Sequence, residues 1–515
     1  MKTIIKTYIL LLCIYTGIIT CNAQNAVPTS PDEEFSTRLN SYIEKVKDEL
    51  NIKFGIGLSV VKEDQMIYEG YFGYANYEKQ LPVTDETTFY IASSTKSFTS
   101  LAMLMLEEKG ILDLDKSIAS YFPEVDFKPE LNMDKVNLRD LLYHTSGLEN
   151  NNITFKTAYS GEYTYKDLTK NFIDYTRVDP RSGYGTFKYS NLGYNVIELI
   201  LERELGKSWK TVVKEQVLNP LGMSNTSANM SDVEKYNWKS AAPYSVANIN
   251  GDLKAHKLVK QDHIMHAAGG IISTPRDMAK FLVAQLNNGK LNSSQVFPKD
   301  IIHLSQQPQA TQERNFFGLK RFAYAYGWNI AKTALGDTLI HHYGGFPGTH
   351  AKISFMPKYG VGLSVFANSS MVGLLSTALI EGYIFDYYGG REDVDAYYNN
   401  KLIEYKDLMS KRFEESTLDK QKRSERTWDL ELPLKEYEGT YFSNSLGTLT
   451  LKVDNGKLIA HMGLLKSPPV EPFTKKNSIR LEMIPGSGMV GVFKVENEKV
   501  VSINTAGLTF KKQAL

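Results

Sequence analysis

The sequence predicts an α+β fold over residues 24–390, followed by a small antiparallel β-barrel or sandwich over 428–515. Three observations carry this. β-rich runs stand at both ends of the first region around a helical middle, which implies one sheet built from both termini. A charge-dense, helix-prone stretch at 391–427 then interrupts the pattern and reads as a connecting helix or linker with a solvated face. Beyond it come only short alternating runs separated by polar turns. The chain has 515 residues, 42% of them apolar and 23% charged, enough for two or three domains and too apolar for overall disorder. A net charge of +1 makes no electrostatic case for nucleic acid.

Residues 1–23 read as a secretory signal peptide. Lys2 and Lys6 form a basic start, residues 8–19 are an apolar run, and Cys21-Asn22-Ala23 sets small residues before Gln24. The run is too short and wrongly flanked for a membrane span. Acylation of Cys21 as a lipoprotein is the alternative, disfavoured by Thr20 beside it. Cleavage removes both cysteines, Cys13 and Cys21, so neither a disulfide nor a thiolate metal site is expected in the mature chain. The protein is expected to be exported, periplasmic or secreted, with no transmembrane segment after cleavage.

Residues 37–50 have helical spacing, with Leu39, Tyr42, Ile43 and Val46 on one face. Runs at 54–61 and 66–72 flank a polar Lys62-Glu63-Asp64-Gln65 and read as a hairpin. Residues 93–109 form an apolar helix closed by Gly110, and further helices are expected at 138–142, 194–205 and 274–287. A second hairpin at 353–356 and 360–368 precedes a helix at 374–387. In the C-terminal part, Asp454-Asn455-Gly456 between two alternating runs is a strong hairpin signal. Residues 149–181 and 305–321 read as loops that carry selectivity.

The chemistry concentrates in Ile91-Ala92-Ser93-Ser94-Thr95-Lys96-Ser97-Phe98. Ser93 and Lys96 are three apart and share one face of a helix start, whereas Ser94 points elsewhere. That spacing selects Ser93 as nucleophile. A serine needs a neighbour to take its proton, and a lysine buried by the following apolar helix can do so with a lowered pKa. The helix N-terminus also offers the Ser93 amide as an oxyanion donor.

Further motifs follow in order: Leu138 to Leu148 with Tyr143-His144-Thr145-Ser146-Gly147, Tyr189-Ser190-Asn191, Pro220-Leu221-Gly222-Met223, Ala268-Gly269-Gly270 and His342-Tyr343-Gly344-Gly345. Together they resemble the serine β-lactamase-related family of class C β-lactamases, D-alanyl-D-alanine carboxypeptidases, D-aminopeptidases and family VIII esterases, over roughly residues 35–390. Tyr437-Glu438-Gly439-Thr440-Tyr441 is similar to the start of the lipocalin-like domain often appended to these hydrolases. The resemblance implies a β-lactamase/transpeptidase-like antiparallel sheet with a helical domain. It implies an acylated Ser93 with Lys96, proton transfer shared by Tyr189, and a substrate amide oriented by Asn191. His342-Tyr343-Gly344 falls where many members carry Lys-Thr-Gly, and Gly345 would give the second oxyanion amide.

The departures from that pattern shape the expected substrate. His342 removes a permanent cation at neutral pH, and Tyr343 is expected to insert a ring beside the acyl pocket. Both weaken a β-lactam reading and favour peptide-like amides, such as D-amino-acid peptides, or small esters. A true β-lactamase and an inactive penicillin-binding sensor are the alternatives. His144 reads as structural, bonding a loop backbone, and His263 and His266 lack the third ligand of a zinc site. No metal or cofactor is expected, the partner is a small molecule or short peptide, and the oligomeric state is left open.

Overall fold

A computed structural model describes residues 33–514, and the expected leader lies outside them. Helix α1 (Glu33–Glu49) buries Phe35, Leu39, Tyr42, Ile43 and Val46, a single helical stripe. The hairpin β1 (Ile56–Lys62) and β2 (Gln65–Phe72) turns at Glu63, whose φ is 54°. A 3₁₀ turn, Ala92–Ser94, opens into α2 (Thr95–Glu108), which Gly110 terminates at φ 65°. The helical middle adds Leu138–Leu142, α3 (Leu192–Leu205) and α4 (Pro275–Leu286), the last capped by the Thr274 hydroxyl accepting from Asp277 N.

Six more strands follow: β3 (Ala310–Phe316), β4 (Leu319–Tyr324), β5 (Asn329–Lys332), β6 (Thr338–Phe346), β7 (Thr349–Met356) and β8 (Val361–Ala367). The eight strands form one antiparallel sheet in the order β3-β4-β5-β6-β7-β8-β1-β2. The N-terminal hairpin therefore closes on the strand furthest along this region, with Ile56 opposite Ala367. Strand alternation decides which core each residue joins. Ile56, Leu58 and Val60 pack with α1 and with α5 (Met371–Tyr388), whereas Val61 and Phe366 join the core that holds α2 and α4.

Two stretches expected as loops are built instead. Residues 149–181 contain the helices Asn151–Phe155 and Tyr165–Tyr175, and residues 305–321 run into the β3–β4 hairpin. The stretch expected as a connecting helix or linker with a solvated face is helix α6 (Val394–Ser424). Its Val394, Tyr398, Leu402 and Met409 are buried with α1 and α5, which the sparse apolar residues of its sequence understated. Among the described residues no helix is long and apolar enough to cross a membrane.

The C-terminal unit has its own core, including Tyr437, Leu451, Ile479 and Phe510. Its strands are β9 (Gly439–Ser443), β10 (Gly447–Asp454), β11 (Lys457–Met462), β12 (Leu465–Lys466), β13 (Glu471–Pro472), β14 (Ser478–Ile484), β15 (Ser487–Glu496), β16 (Lys499–Thr505) and β17 (Leu508–Lys512). They form one antiparallel sheet in the order β12-β11-β10-β9-β17-β16-β15-β14-β13. The Asn455-Gly456 turn takes φ of 48° and 73°, the conformation its residues favour. This unit seats on the segment around residues 155–171: Leu464 N donates to Ser160 O at 2.8 Å, Thr448 N to Glu162 Oε1 at 3.0 Å, and Asn171 Nδ2 to Ser445 O at 2.6 Å.

Candidate active site

Ser93 sits in the 3₁₀ turn that feeds α2, directly after Ala92, whose φ of 46° is left-handed for a residue with a Cβ. The turn leaves Ser93 half-buried and open to the cleft. Ser94 is fully buried, and its hydroxyl donates to His342 O at 3.3 Å. Strand β6 runs hard against this turn at Gly344, where a Cβ would run into the Ile91 carbonyl oxygen. Phe346 and Thr349 pair across a two-residue turn to β7, and Gly345 stands opposite His350 one step before that turn.

Lys96 is wholly buried at the second residue of α2. Its Nζ donates to Asn191 Oδ1 and to Ala268 O, both at 2.7 Å, and lies 3.4 Å from Ser93 Oγ. The rings of Tyr189 and Tyr194 lie beneath it at 4.8 and 5.3 Å. Every one of these neighbours is uncharged, and burial drives the amine well below the usual lysine range. Asn191 stands at the N-cap position of α3 without bonding the helix start, and its side chain reaches across to the lysine instead.

Tyr189 keeps 38% of its surface exposed at the mouth of the cleft while its hydroxyl reaches Ser93. Burial pushes the phenol up, and its hydrogen bond with Ser93 offsets only part of that, so the phenolate is disfavoured. The Tyr189 ring stands 4.6 Å from the His144 ring, and Ser190 N donates to His144 Nδ1 at 3.4 Å. His144 therefore does bond the loop backbone, at the loop that presents Tyr189 and Asn191.

His342 faces the same cleft, with its ring 6.1 Å from Tyr189. Its Nδ1 contacts Tyr343 O at 2.9 Å and its Nε2 contacts the Tyr324 hydroxyl at 3.2 Å. Burial, with Lys96 and Arg321 nearby, holds it well below the usual histidine range, so the position carries no cation at neutral pH. Tyr343 corrects the expectation from sequence. Its ring does not line the acyl pocket: it lies on the opposite face of β6, where its hydroxyl donates to Glu381 Oε2 at 2.7 Å. Neighbours on a strand point to opposite faces, so Tyr343 could not join His342 in the cleft.

Sequence reasoning missed three contributors. Tyr324 bonds His342, Ala268 supplies an acceptor to Lys96, and buried Glu198 accepts from Ala267 N at 3.2 Å and so holds that segment. Ala268 stands in a motif that was legible; Tyr324 and Glu198 carry no local signal. His263 and His266 have separate partners, Tyr163 O and Asn195 Oδ1. A cavity of about 890 Å³ lies beside the cleft; Tyr90, Lys260 and Phe346 line it and Ser93 does not.

The beta-lactamase family model matches residues 43–372. The chain belongs to the beta-lactamase family. Penicillin-binding protein 4* of Bacillus subtilis (strain 168) is 24% identical over 294 residues, 55% of this chain and 61% of that protein. The chain spans 59% and 61% of the length of the first curated relatives it matches. An octameric penicillin-binding protein homologue from Pyrococcus abyssi shares the fold at TM-score 0.57 and 23% identity, covering 92% of this chain and 99% of its own. The D-amino acid amidase of Ochrobactrum anthropi SV3 aligns at TM-score 0.53 and 24% identity, over 64% of this chain and 91% of its own. Within this beta-lactamase family chain, Ser93, Lys96, Tyr189, Asn191 and His342 converge on one cleft, Gly344 packs against the turn that carries Ser93, and Gly345 is the next residue on β6.

Proposed function

We propose that this chain is an exported serine hydrolase that works through an acyl-enzyme on peptide-like amides, including D-amino-acid amides, or small esters. The observation that carries the reading is how Lys96 divides its bonds. A neutral amine has two hydrogens and one lone pair. The two short contacts, to Asn191 Oδ1 and Ala268 O, take the hydrogens, which leaves the lone pair for Ser93 Oγ. That is the arrangement of a general base beside its nucleophile.

In the first half-reaction Lys96 takes the Ser93 proton as Oγ attacks the substrate carbonyl. The amides of Ser93 and Gly345 receive the developing oxyanion. Tyr189, kept protonated by its burial, passes a proton to the leaving nitrogen or oxygen and recovers one from Lys96. The NH₂ of Asn191 is free to hold a substrate carbonyl while its oxygen holds the lysine. Water then repeats the sequence on the acyl-enzyme and releases the acid.

The neutral His342 supports amides and esters over β-lactams. A cation holding the carboxylate of a β-lactam contributes about 1.5–3 kcal/mol, and this site has none there. The similarity to a D-amino acid amidase points the same way. Labelling with a fluorophosphonate and a fluorescent penicillin, followed by kinetics on D-amino-acid amides, p-nitrophenyl esters and nitrocefin, tests the reading. The adduct is expected on Ser93, with higher kcat/KM for an amide or ester than for nitrocefin. Preference for nitrocefin would instead make the chain a β-lactamase; penicillin bound without turnover of any substrate would make it a sensor. Export is checked by N-terminal sequencing of the mature protein, expected to begin at Gln24.

A further inference from the structure

We infer that the C-terminal β-sheet unit forms a wall of the substrate site through the Tyr159 ring, and so selects which acyl groups reach Ser93. The inference rests on the acyl-enzyme reading above. Tyr159 belongs to a π-turn, Lys156–Ser160, in the segment on which the C-terminal unit sits. The ring packs against the C-terminal core. It also stacks on Phe346, with ring centroids 5.6 Å apart and planes inclined by 17°. Phe346 directly follows Gly345, the second oxyanion position. One side chain therefore joins the core of the C-terminal unit to the oxyanion end of β6.

Lys260 locks this junction. Its buried Nζ donates to Ala158 O at 2.8 Å and Ile264 O at 3.0 Å. It lies 4.3 Å from the Phe346 ring, 5.1 Å from Tyr90 and 6.0 Å from Tyr159. Two carbonyls and three aromatic faces surround the amine where no carboxylate contacts it, and burial holds it well below the usual lysine range. Tyr90 stands three residues before Ser93, so the clamp ties the nucleophile turn, the oxyanion strand and the π-turn together.

The C-terminal unit grips the other end of the same turn. Leu464 N donates to Ser160 O, and Gly463, at φ 54°, lies so close that a Cβ would run into that carbonyl oxygen. Leu258 repeats the link, since it lines the 890 Å³ cavity and packs on the C-terminal core. An acyl group whose carbonyl sits at the Ser93 and Gly345 amides, and which extends along β6, meets the Phe346–Tyr159 pair. Stacked rings favour a flat aromatic acyl group over a small one.

The test uses the full chain with Gly463→Val, which wedges the interface from the C-terminal side, and Tyr159→Ala, which removes the ring. Both are assayed on p-nitrophenyl acetate and p-nitrophenyl phenylacetate, with thermal melts to confirm folding. Both variants should lower the phenylacetate-to-acetate ratio of kcat/KM by about three- to tenfold, mainly through KM. Acetate turnover by Gly463→Val should stay within about twofold of wild type. An unchanged ratio in folded Gly463→Val, or a change confined to Tyr159→Ala, overturns the inference. Should Gly463→Val not fold, Leu464→Ser trims the side chain that lies against Gly161 beside the same contact and is judged by the same ratio. If the wild type neither labels at Ser93 nor hydrolyses either ester, the acyl-enzyme reading itself fails and this inference falls with it.

Discussion

Lys96 and Lys352 are both wholly buried and lie on opposite faces of the eight-stranded sheet, yet their surroundings give them different chemistry. Lys352, on β7, lies 2.9 Å from Glu381 Oε2, and the same carboxylate accepts from the Tyr343 and Ser354 hydroxyls. Burial lowers its pKa and Glu381 opposes the shift. Lys96 has only an amide oxygen, a backbone carbonyl, a hydroxyl and two rings around it, and nothing resists the effect of burial. Burial alone does not make a base. A buried lysine can act as one where its counter-ion is withheld and a nucleophile lies within reach, as Ser93 does for Lys96, and it becomes a structural tie where a carboxylate is supplied.

The sharpest way to break this comparison is Lys96→Met. Phosphonylation of Ser93 by a fluorophosphonate, which releases fluoride, should slow by about a thousandfold or more while the chain stays folded. In the wild type the labelling rate should fall as pH drops through the depressed Lys96 pKa, because protonation occupies the lone pair aimed at Ser93. A rate that follows the ordinary lysine range instead, or a labelled Lys96→Met protein, would show that another group is the base.

Lys352→Met should act on stability. It strands Glu381 in the core, at a cost of about 3–5 kcal/mol by denaturant unfolding, and Lys352→Met with Glu381→Leu should recover much of that loss. The molecules that remain folded should still label at Ser93. A stable single variant would mean that the pair contributes nothing, and lost labelling in folded protein would tie it to catalysis.

The smallest effect is expected from Ser94→Ala. The change removes one 3.3 Å hydrogen bond to His342 O, worth about 1 kcal/mol or less, and labelling should stay within a few-fold. Mass spectrometry that finds the adduct on Ser94 would reverse the assignment of the two serines.

Much of the site was legible because its parts are local. The three-residue spacing selects Ser93 over Ser94, and the observed burial of Ser94 agrees. The fold class was legible too, because β-rich runs at both ends of the domain announce a shared sheet. Tyr343 was misread by treating His342-Tyr343-Gly344 as a block, although strand alternation forbids both rings from one face. The helical character of 394–424 was legible, but the burial of one face was not, because its buried residues are spread over 16 positions, Val394 to Met409, among many charges.

The sequence by itself determined the helices, the hairpin turns and the pairing of Ser93 with Lys96, since these depend on residues within a few positions of one another. Only the tertiary structure decided the state of Lys96, set by acceptors 95 and 172 residues away, and the contact of the C-terminal unit with Ser160 and Tyr159. Local spacing governs which side chains share a helix face or a strand face. Charge and desolvation depend on everything packed around a group, and distant segments supply most of that.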